Sequence, residues 1–189
     1  MSGLYLIALI AIWLFAGRMI YRVWRYWKPA DLTRKILHIM IGAVLLSVWF
    51  GGAFWEVAGK KMYYDAQVRE MCAKDGGVKV YETVELPAEM FNKWGQIEFY
   101  HPTQGENALG SEYIFRSEKY YYRKTDPEMS RRVYQVIRRA DNKLLGESVV
   151  YGRGGGDLPG PWYGSTFHCP EDGGDIPLFV KIFQQSIKE

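Results

Sequence analysis

Two apolar runs of about twenty residues constrain this chain more than any other feature. In residues 4–23, ten of the twenty are Leu, Ile, Phe or Val, and the only charges are Arg18 and Arg22. In residues 36–55 ten of twenty are again of these types, with no formal charge. At ~1.5 Å per residue, twenty helical residues reach about the ~30 Å of a bilayer's hydrocarbon core. Ten such side chains give each run roughly −3 to −6 kcal/mol of insertion free energy. Arg18 lies near one end of its run, where its long stem carries the charge to the headgroups.

The alternatives are a signal peptide for the first run and a buried core helix for the second. A signal peptide begins with basic residues, and Met1-Ser2-Gly3 has none; no small-residue cleavage site follows the first run either. A core helix apolar on every face would need a far larger domain around it. The expectation is therefore two retained spans forming an anchor over residues 1–57, with a domain over 58–189. Trp24, Tyr26, Trp27 and Trp55 mark the span ends, as expected of rings that prefer the interface.

Charge gives an orientation. Residues 18–35 hold six Lys/Arg and one acid, whereas Lys60 and Lys61 alone flank the far end of the second run. By the positive-inside rule the connecting loop is cytoplasmic. The N-terminus and residues 58–189 then lie outside, in the periplasm if the membrane is a bacterial inner membrane. The two-span start and the Cys-Pro loop have the general look of small proteins of that membrane. Asp31, after Pro29-Ala30, is the expected N-cap of the second helix.

The remainder reads as an α+β domain of antiparallel sheet with flanking helices, the helices on one face. Residues 58–73 favour a helix that continues the second span, stopped by Asp75-Gly76-Gly77. Residues 78–86 alternate apolar and polar as a strand, broken only by Glu82. Residues 87–94 suggest a short helix with Pro87 in its first turn. Residues 113–123 and 133–139 are strands, and a turn at Ala140-Asp141-Asn142-Lys143 returns the chain through 144–151. Residues 152–177 contain eight Gly and four Pro and read as loop. From Asp175 an amphipathic helix follows, with Leu178, Phe179, Ile182, Phe183 and Ile187 on one side.

Cys72 and Cys169 are the only cysteines. Outside the cytoplasm an even count favours a disulfide, and closing a loop this long is worth roughly 4–5 kcal/mol in the chain-entropy model. His168-Cys169-Pro170-Glu171-Asp172 has the residue types of a metal or thiol site, but its spacing matches no metal motif and the disulfide would use Cys169. The glycines of 152–161 lack the Lys-Ser/Thr of a phosphate loop. His38, one turn into the second span, is read as an interfacial or inter-helix group, and His101 as structural. Residues 118–124 and 131–139 mix cations with tyrosines. With a net charge of −1 over residues 58–189, no broad basic field calls for nucleic acid. Tyr120, Tyr121, Arg123, Arg132 and Tyr134 are instead expected to contact a protein partner, since Tyr and Arg are favoured at binding hot spots.

No catalytic, metal or cofactor residue is assigned. The expected role is a non-enzymatic interaction or accessory subunit of a membrane or envelope assembly, with the bilayer and a membrane or envelope protein as partners. Two alternatives stay open: a ligand-binding or sensing domain using the 152–177 loop, and a thiol- or metal-dependent hydrolase.

Overall fold

A computed structural model describes residues 2–26, 31–158, 160 and 163–186. The chain divides into two compact units. One comprises Met1–Lys60 with Asp157–Gly164; the other comprises Lys61–Gly156 with Ser165–Glu189.

In the first unit, α1 (Ser2–Tyr26) and α2 (Leu32–Phe54) contain the two apolar runs. Both are long and apolar enough to cross a membrane, and the apolar window of neither is buried within the protein. They pair antiparallel through tryptophans. Trp13 stacks on Trp49 at 5.4 Å and meets the edge of Phe50 at 5.2 Å, while Trp24 stacks on His38 at 3.9 Å. Glycine makes room for these rings: a Cβ at Gly42 would lie 3.1 Å from the Trp24 ring. Asp31 does sit at the N-cap with extended backbone, but its side chain caps nothing; it lies 3.6 Å from Arg34 Nε instead. A π turn at Trp55–Gly59 follows α2 and leads into α3 (Lys60–Asp75).

The second unit is built on an antiparallel sheet. Its strands are β1 (Gly77–Val80), β3 (Tyr113–Arg123), β4 (Glu128–Arg138), β5 (Lys143–Gly154) and β6 (Thr166–Cys169), with β2 (Val84–Leu86) outside it. The order is β1-β5-β4-β3, with β6 also on β5. Helix α4 (Asp175–Ile182) and strand β7 (Phe183–Gln185) complete the domain, β7 pairing in parallel with β2.

The helices cover opposite faces of the sheet, which corrects the one-face expectation. On one side Val68 and Cys72 of α3 pack with Met129, Val149 and Tyr151. On the other, Leu178, Phe179 and Ile182 of α4 pack with Tyr113, Phe115 and Val136. Met129 and Val136 are an odd number of residues apart on β4, so a period of two puts them on opposite faces.

Four other expectations change. Residues 78–86 form two strands, because Tyr81 N and Glu82 N both donate to Leu145 O and Glu82 turns aside to pair with Arg138 and Lys143. Residues 87–94 yield only a 3₁₀ turn at Ala88–Met90, since Asn92 Oδ1 accepts from Trp94 N and Gln96 N and closes a turn of its own. The 152–177 stretch is not all loop: β5 runs on to Gly154, and β6 pairs beside it, Tyr151 opposite Cys169. The last helix stops at Ile182, where Phe183 enters β7 and stays in the core. Ile187 lies outside the described residues.

Candidate functional site

One face of the sheet changes character along its strands. Near β1 it carries the apolar residues packed under α4; towards the far ends of β3, β4 and β5 it becomes polar and opens into a cleft of about 470 Å³. Strand register sets what lines it. Lys119 pairs with Arg132 and Arg132 with Val150; Ser130 pairs with Gly152 and Gly152 with His168. One step further, Glu128 pairs with Gly154 and Gly154 with Thr166. Paired residues share a face, so these side chains rise together.

The floor is low because β5 has no side chains at two of these positions. A Cβ at Gly154 would meet nothing within 4 Å, whereas one at Gly152 would lie 2.9 Å from His168 Nδ1. The imidazole therefore lies against bare backbone. The wall beyond it is Pro170 to Asp175, where Gly174 N donates to the buried Ser148 Oγ at 3.0 Å.

Several charges in the cleft are committed to the fold. Lys119 Nζ lies 2.9 Å from Glu128 Oε1 and 4.3 Å from the centre of the Tyr121 ring. Tyr121, then Glu128, hold this ammonium above the ordinary lysine range. Asp175 accepts from Tyr100 Oη at 2.7 Å and from Ile176 N at 2.9 Å. Burial and then Asp175 push the Tyr100 phenol above its ordinary range. Arg153, 4% exposed, turns away from the cleft to the α3 face. There its Nε meets Asp65 Oδ1 at 2.5 Å, and Nη1 donates to Gly155 O and Ser165 O.

Other groups are uncommitted. Among the described residues Arg132 donates only to Tyr134 Oη, at 3.1 Å, so most of its N–H groups have no partner there. Among the described residues, His168, Ser130 and Thr166 have no side-chain hydrogen bond or ion pair, and neither does Glu171 at the rim.

The five expected contact residues do not form one surface. Tyr121, Arg132 and Tyr134 lie on the cleft face. Tyr120 and Arg123 lie on the α3 face, Tyr120 against Tyr122 at 5.0 Å and Arg123 over Tyr64 at 5.1 Å. Arg123 also donates to Pro127 O and Asp126 O, which holds the β3–β4 turn. Sequence reasoning missed Ser130, Thr166, Gly152 and Gly154 as neighbours. The only signal was small and polar residues alternating along β4 and β5.

Cys72 and Cys169 are joined, S–S 2.00 Å, linking α3 to β6. Cys169 thus carries no thiol, and strand alternation turns it to the opposite face from His168. Among the described residues no three His, Cys, Asp or Glu side chains converge as a metal site. His101 precedes the 3₁₀ turn Pro102–Asn107 at the exposed surface, and His38 belongs to the helix pair. Set against known protein families, curated proteins and solved structures, the chain matches none.

Proposed function

We propose that this protein is a membrane-anchored, non-enzymatic binding subunit whose α+β domain stands outside the cytoplasm and works through the cleft face of its sheet. The observation that carries the reading is the cleft itself. Its open donors sit on the sheet, and among the described residues neither Ser130 nor Thr166 hydrogen-bonds to His168. Six basic residues in 18–35 support a cytoplasmic connecting loop, and the Cys72–Cys169 bond suits an oxidising compartment such as the periplasm of an inner-membrane protein. A membrane or envelope protein is the partner this placement favours, because confinement to one membrane raises the local concentration of two anchored chains. The cleft's volume also favours a second reading, a small-ligand or sensing domain.

The test is recovery of partners from native membranes by tagged full-length protein. Arg132→Ala and Tyr121→Ala should lower recovery severalfold, and His101→Ala should not. Loss with His101→Ala alone would overturn the reading. Alkaline phosphatase fused behind the domain should be active; activity only of a cytoplasmic reporter there would reverse the orientation.

A further inference from the structure

The open groups in the cleft can all donate except Glu171 at the rim. Among the described residues most of the five N–H groups of Arg132 have no partner, and Ser130, Thr166 and His168 add two hydroxyls and an imidazole. Lys119 stands directly across from Arg132 on the neighbouring strand. Glu128 already meets the Lys119 ammonium and Asp175 accepts from Tyr100, so among the described residues Arg132 has no ion-pair partner.

Donor number and spread indicate the kind of anion. A planar carboxylate accepts at two oxygens in one plane. Here the donors rise from β4 and β6, which lie two strand spacings of ~4.8 Å apart with the bare glycines of β5 between them. A tetrahedral group with three or four oxygens accepts in several directions and suits such an arrangement. Arg132 offers the planar fork that meets two of those oxygens together. The cleft of about 470 Å³ also exceeds what bare phosphate fills, leaving room for an attached polar group towards Glu171 at the rim.

We propose that the cleft binds a phosphate ester, with Arg132 as the principal donor and His168, Ser130 and Thr166 completing the cradle. This rests on the reading of the cleft face as the working surface and names its ligand chemistry. The ester is either a soluble phosphorylated molecule or the headgroup of an anionic phospholipid.

The experiment uses the full-length protein in phosphatidylcholine nanodiscs, titrated with sn-glycerol 3-phosphate and followed by calorimetry. Saturable binding is expected. Arg132→Gln should weaken it about tenfold or more, and His168→Gln about threefold to tenfold. Lys181→Gln, an exposed cation outside the cleft, should leave it unchanged. An intact disulfide and an unchanged thermal midpoint establish that each variant is folded, and His168→Gln carries the test if Arg132→Gln is not. Replacing part of the lipid with phosphatidylglycerol separates the sources. A weaker apparent affinity for the soluble ester assigns the site to lipid headgroups; an unchanged affinity assigns it to soluble esters. No saturable binding, or equal weakening by Lys181→Gln, would overturn the proposal. If binding is absent while partner recovery still depends on Arg132, the ligand assignment alone fails. If binding is present while recovery ignores Arg132, the partner-contact reading alone fails.

Discussion

The two faces of the sheet handle polar groups in opposite ways. On the α3 face Arg153, Arg131 and Asp75 all have partners inside the fold. Arg153 meets Asp65; Tyr151 Oη donates to Asp75 Oδ1 at 2.6 Å; and Arg131 Nη2 reaches Asp75 Oδ2 at 3.1 Å. On the other face, among the described residues, Arg132 donates to Tyr134 Oη and His168 makes no side-chain hydrogen bond. Unmet polar groups are tolerable there only because water reaches them. Substitutions on the α3 face should therefore change stability, and those in the cleft should change binding.

The disulfide gives the largest expected contrast. Replacing Cys72 and Cys169 with Ser frees a loop spanning 97 residues and should lower domain stability by about 4 kcal/mol. The near-ultraviolet dichroism melt of the full-length protein reads this; an unchanged midpoint would remove the staple from the account of the α3 face.

Next comes the buried ion pair. Asp65→Ala leaves the Arg153 guanidinium, whose side chain is 3% exposed, without its counter-charge. The expected loss is about 3 kcal/mol. Arg132→Ala, by contrast, should stay within about 0.5 kcal/mol of the parent. Equal losses for the two would erase the distinction between the faces.

A smaller, pH-dependent effect is expected at Asp75. The Tyr151 hydroxyl, working against partial burial and helped by Arg131, holds this carboxyl below its ordinary value. A depressed folded pKa adds stability above the unfolded value of about 3.9, and that stability is lost as pH falls through the folded value. Because Asp75 is partly exposed, with 38% of its side chain accessible, screening reduces the contribution to about 0.5–1 kcal/mol. Asp75→Asn should thus trail the parent at pH 7 and converge with it in acid. A deficit that persists undiminished below the folded value would assign the loss to packing instead.

Much of this architecture was legible beforehand because it rests on local periodicity. The apolar runs, the helix into Asp75 and the strand from Tyr113 to Arg123 each show a pattern within one segment. What was hidden depends on distant pairing. Thr166–Cys169 is too short and too close to glycines to announce a strand, and becomes one by lying against Tyr151–Gly154. Phe183 fits a helical stripe as well as it fits β7, and only Val84 opposite it decides. The site was half visible for the same reason. Alternation puts Tyr120 and Tyr121 on opposite faces, but only the register of β4, β5 and β6 brings Arg132, Ser130 and His168 into one cleft.

The pairing of β2 with β7 also bears on when the domain can close. Val84 meets Phe183 near the end of the chain, and Cys72 meets Cys169 across almost as long a stretch. Contacts at such separation form late, since the loop between them must be closed before they contribute. While the chain is still being made, β1 to β5 stand without α4, and Tyr113, Phe115 and Val136 lack their cover. The domain is therefore completed only after synthesis has passed Gln185. Until then it presents an apolar sheet face, which is the stage at which a chaperone would matter most.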